Sequence, residues 1–165
     1  MSNTTANTEP DAPSAVPEGY TPINNHYGFV KWVGPLYCKG SGEGEVIAVR
    51  VEERHCNGGN VAHGGMVSTM ADIAIGYHLV RSGRPARWSL SLNLNMDFIG
   101  TAPMGSWLEA RPRLRRVGST VAFVDCELTA AGQLVASATS VLKLISDPGQ
   151  RGVRLKTGRS DSGAG

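Results

Sequence analysis

Residues 89–98 read Ser-Leu-Ser-Leu-Asn-Leu-Asn-Met-Asp-Phe, the most regular alternation of polar and apolar side chains in the chain. Apolar residues occupy the even positions from Leu90 to Phe98, which predicts a long strand with one apolar and one polar face. The polar face carries Ser and Asn more than Lys and Glu. Such a face fits contact with a second subunit or a ligand, and it is equally compatible with plain exposure to solvent.

Strand periodicity recurs on both sides of this segment. The further strand candidates are residues 45–52, 106–117, 120–129 and 133–145. Connections containing Gly118 and Gly132 join the last three and are short enough for hairpins. One long segment, from Gly65 to about Val80, has apolar residues at helical spacing instead. A run of strands with a segregated helix is typical of the α+β class, an antiparallel sheet with one helix packed on it.

Length and composition indicate one globular domain. The chain has 165 residues, of which 41% are hydrophobic and 18% charged. A net charge of +2 gives no indication of binding to nucleic acid or to a membrane surface. Three cysteines at irregular spacing argue against a disulfide framework and favour a cytoplasmic protein.

The two ends of the chain differ in composition from the middle. Residues 1–19 and 147–165 are rich in small and polar residues, and we expect both segments to lack fixed structure. The N-terminal segment has neither a basic start nor an apolar stretch, so no secretory signal is predicted. The folded domain is therefore predicted to span residues 20–146.

The predicted helix carries two features that indicate an active site. Gly64 and Gly65 fall where the helix begins, and the exposed amides of a helix start stabilise a developing negative charge. Asp72 follows two turns later, between Ala71 and Ile73. A carboxylate on a buried surface is costly unless it is paired or used. A functional Asp72 is therefore favoured over the alternative, an ordinary surface carboxylate on an amphipathic helix.

The spacing of these two features predicts a dimer. Asp72 lies eight residues after Gly64, a distance of about 12 Å along a helix at 1.5 Å per residue. An amide and a carboxylate that act on one carbon must both lie about 3 Å from it. If both groups take part in one reaction, they come from different copies of the helix. Two antiparallel helices across a two-fold axis satisfy that condition.

The sequence gives little support for a metal site, a serine hydrolase triad or a phosphate-binding loop. His55, Cys56 and His63 lack a fourth ligand at a spacing usual for zinc, so no metal site is predicted. No serine lies in a Gly-x-Ser-x-Gly motif, which argues against a serine hydrolase triad. The glycine-rich residues 40–44 lack the lysine of a phosphate-binding loop.

Asn57, then His63-Gly64-Gly65, then Asp72 resembles the signature of the hotdog-fold acyl-CoA thioesterases. The similarity is to the phenylacetate-pathway (PaaI-like) branch of the 4-hydroxybenzoyl-CoA thioesterase superfamily, and it covers about residues 45–145. It implies an antiparallel sheet wrapped around one long central helix, in a homodimer that commonly pairs again into a tetramer. The related hotdog dehydratases use an Asp-x4-His pair, whereas five residues separate Asp72 from His78.

The resemblance implies a role for each matching residue. The backbone N–H of Gly64 would act as the oxyanion donor, and Asp72 of the partner chain would attack the thioester carbonyl or deprotonate a water that does. Asn57 would orient the water or the carboxylate, His63 would assist the substrate carbonyl, and Ser91 would lie near Asp72. The implied activity is hydrolysis of an acyl-CoA thioester to free acid and CoA, without metal or redox cofactor.

The resemblance also implies where the CoA part of the substrate binds. The turn after residues 106–117 resembles the part of the family that meets the CoA nucleotide, and arginine is well suited to phosphate. The candidate substrate and CoA contacts are Gly65, Arg115, Arg116, Gly118, Ser119 and Thr120. These arginines are also compatible with ordinary surface charges. A non-catalytic acyl-CoA-binding or sensing protein on the same fold is the alternative function.

Overall fold

The computed structural model describes residues 15–24, 28–82 and 88–145. Residues 147–165, which we expect to lack fixed structure, lie outside these ranges, and so do residues 1–14 of the N-terminal segment. The remaining residues of that segment, 15–19, run along the sheet. There the carbonyl of Ala15 accepts a hydrogen bond from Arg50 Nη2 at 3.0 Å.

The described residues form seven strands and two α-helices. The elements are β1 (Thr21–Pro22), α1 (Phe29–Val33), β2 (Leu36–Lys39), β3 (Val46–Arg50), α2 (Gly64–Arg81), β4 (Trp88–Phe98), β5 (Trp107–Val117), β6 (Val121–Ala130) and β7 (Gln133–Ile145). The long helix and the five strands that the periodicity predicts are all present. β1, β2 and α1 span only two, four and five residues, too few to produce a periodic pattern.

One antiparallel sheet with the strand order β1-β2-β3-β5-β6-β7-β4 accounts for all seven strands. α2 connects β3, inside the sheet, with β4 at its edge, and packs against β3 to β7. The predicted α+β class, with one long helix on an antiparallel sheet, is confirmed.

The hydrophobic core lies between α2 and one face of the sheet. In β6, every second residue from Ala122 to Ala130 is buried. Met70, Ala74 and Leu79 of α2 are completely buried against this face. The sheet thus accounts for the apolar character of α2, and no helix in the described ranges is long and apolar enough to cross a membrane.

A β-bulge divides β4 into two parts, and the apolar side chains of the two parts lie on opposite faces of the sheet. The prediction of one continuous apolar face is therefore wrong. The pairing of β4 with β7 shifts between Ser91 and Asn93. Before the shift Ser91 lies opposite the buried Leu142, and after it Met96 lies opposite the buried Ala138. Ser91 and Met96 therefore both face α2, since directly opposed residues share a face of the sheet. The extra residue of the bulge reverses the alternation and leaves Leu90 outside, 55% exposed.

A buried ionic cluster fixes the far end of α2. Glu45, just before β3, is 2% exposed, and its Oε2 lies 3.1 Å from Nδ1 of the equally buried His78. Arg81 Nε forms an ion pair with the other oxygen of Glu45 at 2.6 Å, outside hydrogen-bond geometry. The last turn of α2 is thereby attached to β3, and the helix has a fixed position along the sheet.

Candidate active site

A tight loop determines where α2 begins. Cys56 and Ala62 form an isolated antiparallel bridge, and the N–H of Asn57 donates to the carbonyl of Val61 at 2.9 Å. At the end of this loop, the N–H of His63 donates to the carbonyl of His55 at 2.8 Å. These bonds between the two sides of the loop place His63 directly before the first helical residue.

His63 is the N-cap of α2 and uses one ring nitrogen for that purpose. Its Nδ1 accepts a hydrogen bond from the N–H of Gly65 at 2.9 Å. A neutral imidazole that accepts at Nδ1 carries its proton on Nε2, so the exposed His63 has one N–H donor available for a ligand. Within the described ranges the N–H of Gly64 has no acceptor. The amide of Gly65 is occupied, whereas that of Gly64 is free.

Asp72 lies half-buried in the middle of α2, and a side chain of β4 binds its carboxylate. Ser91 Oγ donates a hydrogen bond to its Oδ1 at 2.5 Å. This contact exists because the bulge in β4 places Ser91 on the side of the sheet that faces α2. No Lys, Arg or His of the described residues forms an ion pair with Asp72. Oδ2 therefore remains available for chemistry.

The structure brings Ser91 to Asp72 and His63 to Gly65, but it separates Gly64 from Asp72. α2 is continuous from Gly64 to Arg81. The two groups are thus about 12 Å apart along one helix, at 1.5 Å per residue. Within one chain they cannot contact the same carbon.

Asn57 is exposed in the loop before the helix, and part of its side chain is already engaged. Its Oδ1 accepts a hydrogen bond from the N–H of Gly59 at 2.9 Å. This is an Asx-type turn, in which the asparagine stabilises its own loop. The side-chain NH2 group keeps its donors for a water or a substrate oxygen.

The candidate CoA contacts lie on the hairpin between β5 and β6. The ladder of these strands shifts between Leu114 and Arg116, and Arg115 lies at this irregularity. Arg115 forms an ion pair with Asp125 on β6, whereas the exposed Arg116 lies opposite Phe123. The structure therefore places Arg115 in a strand-to-strand ion pair.

The turn of this hairpin is exposed and closed by backbone bonds. The N–H of Gly118 donates to the carbonyl of Val121, and the carbonyl of Thr120 accepts from Leu144, both at 2.8 Å. Ser119 lies between them and is exposed. Among the described residues, no hydrogen bond or ion pair joins this hairpin to the start of α2.

His55 supports the loop, a role that sequence reasoning missed. The imidazole is 4% exposed, and its Nδ1 accepts a hydrogen bond from the N–H of Glu52 at 2.9 Å. Burial, and then the charge of Arg54, lower the pKa of His55 below its usual value. The spacing of Glu52 and His55 could have indicated this role, because the side chain of each residue caps the backbone N–H of the other across one short turn. No group of three potential ligands, His, Cys, Asp or Glu, is close enough to hold a metal in the described parts of the chain.

Comparison with known proteins assigns the chain to a family. Residues 59–137 match the family described as the Thioesterase superfamily. A protein of Pseudomonas aeruginosa that bears a provisional esterase name is 38% identical over 130 residues, 78% of this chain and 97% of the relative. Human acyl-coenzyme A thioesterase 13 is 29% identical over 111 residues, 66% of this chain and 79% of the relative.

A solved structure extends the similarity to three dimensions. The crystal structure of zebrafish thioesterase superfamily member 2 superimposes with a TM-score of 0.66 at 27% identity, over 73% of this chain and 89% of that one. The matched residues contain the start of α2, Asp72 and the whole of β4. Sequence identity and fold agree, and this chain belongs to the thioesterase superfamily.

Proposed function

We propose that this protein hydrolyses acyl-CoA thioesters to free acid and CoA, in a dimer whose two sites are each formed by both chains. The observation that carries the proposal is the arrangement on α2. A free amide lies at its first residue, Gly64, and a positioned carboxylate lies eight residues later at Asp72. Two antiparallel copies of this helix would bring each amide close to the carboxylate of the other chain.

The start of α2 supplies the electrostatic part of the reaction. When a nucleophile adds to a thioester, negative charge develops on the carbonyl oxygen, and preorganised N–H donors stabilise that charge. The N–H of Gly64 is unpaired among the described residues and is aligned with the helix dipole. The Nε2–H of His63 is a second donor beside it, because the N-cap bond occupies Nδ1.

Asp72 of the partner chain supplies the reacting oxygen or removes a proton. As general base, it takes one proton from a water whose oxygen adds to the carbonyl carbon; the C–S bond then breaks and the thiolate of CoA is protonated. As nucleophile, Oδ2 adds to the carbon, expels the thiolate and leaves a mixed anhydride that water hydrolyses. Both routes use the oxygen that Ser91 leaves free.

The edge of the sheet supports the proposed dimer. β4 pairs with β7 on one side and with no strand of the described chain on the other. Leu90 and Leu92 on this edge are 55% and 60% exposed. An exposed apolar edge strand is a template for pairing with another chain. Antiparallel pairing of two β4 strands would join the sheets, and the dimer would pair again into a tetramer.

We propose a CoA thioester as substrate because of the relatives, and we propose the β5–β6 hairpin as the place where its CoA moiety binds. A human relative at 29% identity is named an acyl-coenzyme A thioesterase. Arg116 is exposed and forms no ion pair with the described residues, so its guanidinium is the best candidate for a CoA phosphate. Gly118, Ser119 and Thr120 would contact the pantetheine beside it.

A substitution of Asp72 tests the proposal directly. We expect Asp72→Asn and Asp72→Ala to abolish thiol release from a panel of aromatic and straight-chain acyl-CoAs, because the carboxylate acts in the reaction. Circular dichroism and size-exclusion chromatography should show an unchanged fold and oligomer. Asp97→Asn is the matched control, since Asp97 lies opposite Ser137 on the outer face of β4.

Two results would contradict the proposal. Hydrolysis at a near-normal rate by the Asp72 variants would remove this residue from the chemistry. Binding of acyl-CoA by the unmodified protein, without release of thiol from any substrate of the panel, would indicate the non-catalytic binding protein instead.

A further inference from the structure

We propose that Phe98 forms the wall against which the acyl group packs next to the thioester carbonyl, and that its size limits which acyl groups are accepted. The proposal rests on the proposed function, because it takes the amide of Gly64 as the place where the carbonyl binds. It adds a specificity-determining residue at the last position of β4.

The bulge of β4 brings Phe98 to the start of α2. Phe98 lies opposite the buried Ala136, so beyond the bulge it faces the helix together with Leu94 and Met96. A Cβ built on Gly64 would lie 3.5 Å from both Cε1 and Cζ of the Phe98 ring. The edge of this ring therefore lies against the first residue of the helix.

This contact sets the distance between Phe98 and a bound thioester. The Cβ position of a residue is about 2.5 Å from its own nitrogen, given standard bond lengths. The ring edge is therefore within about 6 Å of the Gly64 nitrogen, and a carbonyl oxygen bound to that amide lies about 2.9 Å from it. A thioester whose acyl chain runs toward Phe98 can therefore bring the carbon next to that carbonyl within van der Waals range of the ring, about 4 Å.

Exposure distinguishes Phe98 from the other inward-facing residues that follow the bulge in β4. Its side chain is 57% exposed, whereas Leu94 and Met96 are half-buried and pack against the core. The chain around it is fixed by hydrogen bonds from the N–H groups of Ile99 and Gly100 to the carbonyl of Val135, both at 2.9 Å. A large aromatic side chain on a fixed backbone is thus uncovered beside a free amide.

The chemistry of this surface favours the acyl side of the substrate over the pantetheine side. The exposed Phe98 ring is apolar and offers no conventional hydrogen-bond donor or acceptor. Pantetheine contains two amides whose donors and acceptors would be left unpaired on such a surface, at a cost in affinity. A hydrocarbon or aromatic acyl group has no such groups and gains from the burial.

The experiment compares Phe98→Ala, Phe98→Leu and Phe98→Trp with the unmodified protein. For each, kcat/KM is measured with acyl-CoAs that are unbranched, branched or aromatic at the carbon next to the carbonyl. We expect Phe98→Ala to shift the preference toward bulky acyl groups by about 10-fold or more, the range seen for one side-chain group in an apolar pocket. Phe98→Leu should give a smaller shift and Phe98→Trp the opposite one.

Phe29→Ala is the matched control, because Phe29 of α1 is also a phenylalanine and is 67% exposed. A shift of equal size in this control would overturn the proposal. An unchanged preference in all three Phe98 variants would do the same. Loss of the oligomer in Phe98→Ala, together with an equal fall of kcat/KM for every class of acyl group, would also overturn it and would identify Phe98 as an interface residue.

Binding separates this proposal from the proposed function. Titration calorimetry with CoA and with non-hydrolysable thioether analogues of acyl-CoA gives the affinity gained from the acyl group. If the unmodified protein fails to hydrolyse any thioester but Phe98→Ala loses this gain, the proposed function fails and the role of Phe98 stands. If the gain is equal in both proteins, the role of Phe98 is wrong whatever the outcome of the hydrolysis assay.

Discussion

At the scale of single residues, two hydrogen bonds orient the candidate site and leave its working atoms free. His63 accepts a hydrogen bond from the N–H of Gly65 at Nδ1 and keeps an N–H donor at Nε2. Asp72 accepts from Ser91 at Oδ1 and keeps the lone pairs of Oδ2. Groups that are fixed before the substrate arrives need no reorganisation during the reaction, which is the condition for effective electrostatic stabilisation.

Ser91 is therefore expected to position Asp72 for catalysis. We predict that Ser91→Ala lowers kcat by about 10-fold to 100-fold, because a hydrogen bond to a charged group contributes about 1.5–3 kcal/mol. KM should change little, since Ser91 does not touch the substrate in this scheme. Ser91→Thr, which keeps the hydroxyl group, should restore most of kcat. Steady-state kinetics with one acyl-CoA measure all three effects.

Ser89→Ala provides the control on the same strand. Ser89 precedes the bulge and, like Ser91, faces α2, but its hydroxyl lies near Gly76 rather than Asp72. We expect its kinetics to match those of the unmodified protein. Equal losses in the two alanine variants would mean that the polar side chains of β4 act through packing alone.

At the scale of elements, the sequence predicts the long helix, the later strands and the position of the helix start. It does not predict the bulge in β4, because apolar residues alternate without interruption from Leu90 to Phe98 and no Gly or Pro marks the irregularity. The shift depends on the pairing with β7, a strand about 50 residues later. The bond between Ser91 and Asp72 and the contact between Phe98 and Gly64 both depend on it, so neither follows from periodicity alone.

We expect the stability of the fold to depend on pH because of His55, which lies in the loop before α2. Because burial lowers the pKa of His55 in the folded state, the unfolded chain binds a proton more readily. Stability is then complete above the unfolded pKa of about 6.5 and declines as the pH falls below it. We predict that the free energy of unfolding, from urea denaturation at pH 7.5 and 5.5, falls less on acidification in His55→Gln than in the unmodified protein.

The comparison uses the difference between the two pH values in each protein. His55→Gln also loses the bond that Nδ1 accepts from Glu52, so its absolute stability is expected to be lower at both. Parallel changes with pH in the two proteins would show that another group titrates with folding.

At the scale of the whole molecule, the proposed mechanism divides the active site between two chains, because α2 is continuous from Gly64 to Arg81. Each copy of α2 would give the amide of Gly64 to one site and the carboxylate of Asp72 to the other, since about 12 Å separates them within a chain. The uncovered edge of β4 is where the second chain would pair. A single chain would then be inactive even when fully folded.

Mixed dimers test this division of the site. Asp72→Ala and His63→Ala chains, coexpressed with different affinity tags, should each be nearly inactive alone. A dimer that contains one of each holds one site with both defects and one intact site, formed by Asp72 of one chain and the helix start of the other. Random pairing makes half of the dimers mixed, so about a quarter of the unmodified activity should return. Purification through both tags should double that value if the protein is a dimer and raise it only slightly if dimers pair into tetramers, whereas a mixture no more active than its parents would place each site within one chain.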